Sequence, residues 1–193
     1  ATELPPQYTK PLQQMLQQTE RMESLLKDLL WLSRIEGEER GEERELLDMA
    51  GLLQELRDDL SAAHPQTPIE LSLETNQHIS GDYRQIYSAI SNLVTNAIKY
   101  SPQDTPVRIN WSLQGKHCRL SVVDQGIGID ASNIPRLTER FYRVDESRNS
   151  ATGGTGLGLA IVKHVAAAHD AVLEINSAPG KGSTFTLDFP IED

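Results

Sequence analysis

Asn92, Asn96 and Lys99 recur at spacings of four and three in NLVTNAIKYSP (Asn92 to Pro102), so on a helix they project from one face. Two amide oxygens, with phosphate oxygens and waters, suit Mg2+, a hard cation that takes oxygen ligands and keeps several waters. Lys99 supplies a point charge for phosphate. Alone, such a pair of asparagines is more often part of a solvated polar face. CRLSVVD (Cys118 to Asp124) reads as a buried strand ending in a carboxylate. Gly126 and Gly128 then let the backbone turn sharply and approach a ligand. Such a carboxylate can accept a hydrogen bond from the exocyclic amine of adenine, where guanine presents a carbonyl. Alone, Asp-x-Gly after a strand is an ordinary turn. GGTGLGL (Gly153 to Leu159) opens an apolar helix over 157–169, and glycine amides at a helix N-terminus make an anion site. It is not a P-loop, because the closing Lys-Ser/Thr is missing, nor a dinucleotide fingerprint, because no strand leads into it.

The elements that carry these residues can be traced outward. Gly81-Asp82 signals a helix start with Asp82 as N-cap, and Pro102 ends that helix. Between them Ile86, Ile90, Leu93 and Ala97 form one apolar stripe for a core. Ile69, Leu71 and Leu73, then Val107, Ile109, Trp111 and Leu113, alternate as strands with one wet face. The pattern predicts helix 46–63, strand 69–74, helix 82–100, strands 107–113 and 118–124, a loop, helix 157–169, and strands 172–176 and 184–189. We expect an α+β fold: a two-layer α/β sandwich in which three helices cover one side of a mixed sheet.

Residues 1–36 differ. Pro5, Pro6 and Pro11 mark a loop and a helix start. Leu12, Met15, Thr19, Met22, Leu26 and Leu29 then repeat at 3, 4, 3, 4, 3, broadened by Leu25, Leu30 and Leu32. That is the seam of a helix from a bundle. GEERGEERE (Gly37 to Glu45) is a charged linker that contributes nothing to a core. The expected division is 1–36, linker 37–45, and a second unit over 46–193. Net charge is -10 with pI near 5.0, which argues against nucleic-acid binding through phosphate neutralisation. The single cysteine, Cys118, excludes an internal disulfide. No apolar run approaches the ~18 residues of a membrane helix. The chain starts at Ala1 rather than Met and reads as an excised piece.

The ordered set of Asn helix, DQGIGI (Asp124 to Ile129) and GGTGLGL resembles the catalytic ATP-binding domain of bacterial sensor histidine kinases. That domain belongs to the group with gyrase, the ninety-kilodalton heat-shock chaperone and MutL, which share a Bergerat-type ATP fold. RMESLLKDLLWLSRIE (Arg21 to Glu36) resembles the second helix of the dimerisation and phosphoacceptor domain. IPRLTERFYRVD, SAISNLVTNAIKYS and GGTGLGLAIVKH are most similar to phosphate-regulon sensor kinases. The resemblance implies ATP and Mg2+ as cofactors, with Asn96 the principal metal ligand, Asn92 assisting, and Tyr100 packed near the nucleotide. It implies that Asp124 reads the base beside Gly126 and Gly128, and that Gly154, Gly156, Leu157 and Gly158 hold phosphate. It also implies a mobile lid that starts near Asn133 and carries Arg140 and Arg143, which would reach phosphate or equally lie on the surface. Phe141 and Tyr142 are expected to anchor it, and 146–152 is expected to be disordered without nucleotide. By the same resemblance GKGSTF (Gly180 to Phe185) is the family's closing turn, which would place Thr184 at the site.

In hydrolysing relatives a glutamate stands where this chain has Asn92. An amide cannot act as a general base, so the implied activity is phosphoryl transfer to a histidine, for relay to a response regulator receiver domain. None of His64, His78, His117, His164 and His169 sits in the family's phosphoacceptor motif. The acceptor is expected upstream, in a homodimer formed through the helical bundle, on the cytoplasmic side of an inner-membrane sensor. Membrane contact would come only through upstream segments. The rivals are a nucleotide-binding regulatory module without kinase activity and a clamp-type ATPase.

Overall fold

Helix α3 (Tyr83–Tyr100) has the bounds its sequence requires. The Asp82 carboxylate accepts from the Gln85 amide at 2.9 Å, and Ser101, next to Pro102, leaves the helix in an extended conformation. The computed structural model describes residues 6–37, 44–144 and 154–191. Around α3 lie α1 (Pro6–Gly37), β1 (Glu45–Leu47), α2 (Met49–Ala63), β2 (Ile69–Leu73) and β3 (Ile79–Gly81). After it come β4 (Val107–Gln114), β5 (His117–Val123), α4 (Gly158–Ala168), β6 (Val172–Ser177) and β7 (Ser183–Pro190).

Five strands form one mixed sheet in the order β2-β4-β5-β7-β6, with β2 parallel to β4 and the remaining pairs antiparallel. The alternation read from sequence sets its faces. Val107, Ile109 and Trp111 of β4, Cys118, Leu120 and Val122 of β5, and Phe185, Leu187 and Phe189 of β7 are buried. They share one core with Leu53 and Leu56 of α2, Ile86, Ile90 and Leu93 of α3, and Ile161 and Val165 of α4. Each such side chain contributes about 1.5–3 kcal/mol. This is the expected two-layer sandwich with three helices on one side.

Three features depart from the sequence expectation. First, 46–63 is not one helix. Glu45–Leu47 is a strand paired antiparallel with β3, and α2 starts at Met49, where Asp48 accepts from the Ala50 amide. The linker expected at 37–45 therefore ends at this strand; residues 38–43 lie outside the described residues. Second, α1 starts at Pro6, so Pro11 falls within the helix. Third, Leu32 does not belong to an exposed seam. It is 2% exposed and enters the core with Ile35, while Leu12, Met15, Met22, Leu26 and Leu29 stay exposed.

The small sheet is tied to the end of α4. Arg44 Nη2 donates to the Ala168 carbonyl and meets Asp170 Oδ2 at 3.3 Å. Buried His169 accepts from the Asp82 amide at Nε2, 3.0 Å, and its Nδ1 lies 2.8 Å from the Val165 carbonyl. Burial pushes the His169 pKa down. A Cβ on Gly81 would stand 2.5 Å from Ile86 Cδ1 and 2.9 Å from His169 Cδ2, so β3 packs closely against the start of α3 and the end of α4. Asp170, directly after α4, adopts a left-handed φ of 54°, a conformation that Asp tolerates better than most residues.

Candidate functional site

A cavity of about 360 Å3 opens between α3, the loop after β5, the glycine loop before α4 and the start of β7. Asp124 lies on its wall at the end of β5 and is 6% exposed. Its Oδ1 accepts from the Gly126 amide at 2.7 Å and the Ser183 amide at 3.1 Å. Burial pushes the carboxyl pKa up, and these hydrogen bonds oppose that shift. The two glycines behind it are required by close packing. A Cβ on Gly126 would stand 2.5 Å from the Tyr100 carbonyl oxygen, and one on Gly128, at φ 67°, would collide with the Ala178 carbonyl. The turn therefore presses against the end of α3 and holds the carboxylate at the cavity.

Asn92, Asn96, Lys99 and Tyr100 of α3 line the same cavity, so the face read from their spacing is turned inward. Asn92 Nδ2 donates to the Ser88 carbonyl at 2.9 Å. That bond fixes the amide so that Oδ1 is the atom presented; a Cβ on Gly158 would stand 2.7 Å from it. A Cβ on Gly154 would stand 2.6 Å from Lys99 Nζ, so the glycine loop lies directly against the lysine. Lys99 Nζ is also 5.0 Å from the Tyr100 ring centre. Two amides, one ammonium and the start of α4 make a surface suited to anionic oxygens and a hard cation. Among the described residues, no group of three His, Cys, Asp or Glu is placed to hold a metal ion. A cation here would need oxygens supplied by a ligand.

The structure does not bring every expected residue to the wall. Gly154, Gly156, Gly158 and Arg143 line the cavity, whereas Leu157 is wholly buried beneath the loop and Gly126 acts from behind. Arg140 is not on the wall. Thr184 is not either: Ser183 takes that position and bonds Asp124. Ser183 has the parity of inward-facing Phe185, so period-two alternation could have found it. Phe141 does not anchor the lid by burial. It is 56% exposed with φ 63°, and only its amide is tied, to the Gly156 carbonyl at 2.9 Å. Tyr142 is tied by its side chain: its hydroxyl donates to Asn133 Oδ1 at 2.7 Å, and Arg136 lies over its ring. The stretch 146–152, expected to be disordered, lies outside the described residues. Ser24 and Asp28 of α1 also line the cavity, which no local sequence signal indicated.

Comparison with known proteins gives the following. Residues 81–193 match the family described as histidine kinase-, DNA gyrase B-, and HSP90-like ATPase. The chain is 48% identical over 186 residues to the phosphate regulon sensor protein PhoR of Pseudomonas aeruginosa, covering 95% of this chain and 42% of that protein. It is 42% identical over 180 residues to the sensor-like histidine kinase SenX3 of Mycolicibacterium smegmatis, covering 92% and 47%. The chain thus spans less than half the length of these relatives. The full-length structure of ShkA in complex with AMPPNP superposes with TM-score 0.76 at 25% identity, covering 98% of this chain and 40% of that one. No helix of the described residues is long and apolar enough to cross a membrane.

Proposed function

Because the chain belongs to the histidine kinase-, DNA gyrase B-, and HSP90-like ATPase family, we propose that its cavity binds Mg·ATP and donates the γ-phosphoryl group to a histidine of a separate helix. The observation that carries this reading is the convergence of Asp124, Asn96, Asn92, Lys99 and the glycine loop on one cavity. Asp124 accepts from the adenine amine. Asn96, assisted by Asn92, would hold the metal, and Lys99 and the amides around Gly154 to Gly158 would hold phosphate. Arg143 approaches the phosphates from the lid. When bound, Mg2+ would neutralise charge on the transferred phosphoryl group and its leaving oxygen. The protein's own part is positioning: it fixes the base at one carboxylate and aligns the phosphate chain with α4.

The acceptor is a histidine other than His169. Both ring nitrogens of His169 are engaged, by the Asp82 amide and the Val165 carbonyl, so it has no free lone pair to attack phosphorus. Asn92 stands where hydrolysing relatives carry a glutamate, and its amide cannot take a proton from water. This favours transfer over hydrolysis. The similarity to PhoR and SenX3 supports a sensor kinase of the phosphate-regulon kind, membrane-linked as a whole, that passes phosphate to a response regulator receiver domain. In this reading residues 1–36 are the second helix of a dimerisation hairpin and 46–193 the catalytic unit. Titration of the chain with ATP and Mg2+ tests the binding; absence of binding removes the reading. A regulatory module that holds ATP without transfer is separated from it by a phosphotransfer assay.

A further inference from the structure

Ser24 and Asp28 stand one turn apart on α1 and line the same cavity as Asn92, Asn96 and Lys99. Neither lies in the segment matched to the ATPase family, which begins at residue 81. The Thr155 hydroxyl donates to Asp28 Oδ2 at 2.7 Å, and Thr155 follows Gly154, the residue pressed against Lys99 Nζ. The Asp28 carboxylate is thus held at the part of the cavity where the lysine and the glycine loop meet. Spacings of four and three continue the same face of α1 through Trp31, Leu32 and Ile35. Leu32 and Ile35 enter the core and Trp31 packs against it. The opposite side of α1, with Leu26, Leu29 and Leu30, is exposed. One helix is therefore docked by its C-terminal apolar end and carries a negative charge over the cavity.

We propose that α1 is an anionic latch on this cavity: Asp28 clasps the glycine loop through Thr155 and opposes the phosphates of a nucleoside polyphosphate, so that docked α1 and bound phosphates disfavour each other. The inference rests on the nucleotide reading of the cavity. Its basis is that a carboxylate and a polyphosphate compete for one cationic corner, in surroundings less polar than water, where like charges repel more strongly. Raised affinity for the phosphates would follow from drawing α1 away, and its exposed side offers a surface by which another helix could do so.

The whole chain serves for the test. ADP without metal and adenosine are titrated into the wild type, Asp28→Asn, Thr155→Val and Thr155→Ser. Asp28→Asn keeps an acceptor for Thr155 and removes the charge. It should bind ADP roughly three- to tenfold more tightly, with adenosine binding unchanged. Release of α1 is read separately from iodide quenching of Trp31, since the chain's other tryptophan, Trp111, is wholly buried. ADP should increase the quenching, and so should Thr155→Val without nucleotide, whereas Thr155→Ser, which keeps the hydroxyl, should behave as wild type. Unchanged or weaker ADP binding by Asp28→Asn overturns the latch, as does Trp31 quenching that ADP leaves unaltered. If neither ADP nor adenosine binds the wild type, the nucleotide reading itself falls.

Discussion

Asp124 and Ser183 are joined by two hydrogen bonds across 59 residues of chain: Asp124 N donates to the Ser183 carbonyl at 2.9 Å, and Ser183 N donates to Asp124 Oδ1 at 3.1 Å. The pairing of β5 with β7 thus sets the orientation of the carboxylate that faces the cavity. Replacing it by an amide, Asp124→Asn, keeps the shape but puts a donor where adenine also donates. A hydrogen bond to a charged group contributes about 1.5–3 kcal/mol, so ATP affinity should fall roughly 10- to 100-fold. Preference for ATP over GTP should fall with it. Competition titrations decide: an unchanged ATP-to-GTP ratio would take base reading away from Asp124.

Asn96 should matter only where a cation does. Asn96→Ala removes an oxygen from the cavity wall without adding charge, and we expect Mg·ATP affinity to drop by about 1.5–3 kcal/mol. ATP binding measured in excess chelator should change little. Equal losses with and without Mg2+ would mean that Asn96 packs against the nucleotide and holds no metal.

His169 gives a pH dependence whose sign is fixed. Burial lowers its pKa below the ordinary 6.5, so as pH falls the unfolded chain takes up the proton first. Stability attributable to this residue is present above about pH 6.5 and declines below it, by up to ~1.4 kcal/mol per pH unit until the folded form also protonates. The raised pKa of Asp124 acts oppositely, in the carboxylate range. Melting temperatures of wild type and His169→Gln between pH 5 and 8 isolate the effect. The variant should be less stable at pH 8, with a flatter slope; parallel curves would show that another group titrates.

Helix α1 leaves Leu12, Met15, Met22, Leu26 and Leu29 exposed, and full burial of such a side chain yields about 1.5–3 kcal/mol. The chain should associate through this stripe, and Leu26→Glu should weaken the association. Light scattering over a range of concentrations checks it. A wild type that stays monomeric throughout would mean that the stripe does not drive self-association.

What could be read from sequence depended on the range of the interactions. The bounds of α3 were legible because Asp82 and Pro102 act on their own backbone. The inward faces of β4, β5 and β7 were legible from alternation. Strands β1 and β3 were not: each has three residues, neither alternates visibly, and they pair across more than thirty residues, while Leu46 and Leu47 merge into the apolar pattern of α2. Leu32 fits a bundle seam and a domain core equally well until the partner surface exists. Asp28 is one charge on a charged helix, and only the tertiary contact with Thr155 gives it a role. Ser183 was within reach through strand parity, whereas the resemblance pointed to Thr184.

The most direct measurement is phosphoryl transfer from γ-labelled ATP, with a histidine-bearing phosphoacceptor domain supplied in trans. The label should appear on the acceptor domain as an acid-labile, base-stable phosphoramidate. It should depend on Mg2+ and be lost in Asp124→Asn and Asn96→Ala, with no stoichiometric label on this chain. Stoichiometric labelling of this chain alone, or release of inorganic phosphate with no transfer to the acceptor, would contradict the account.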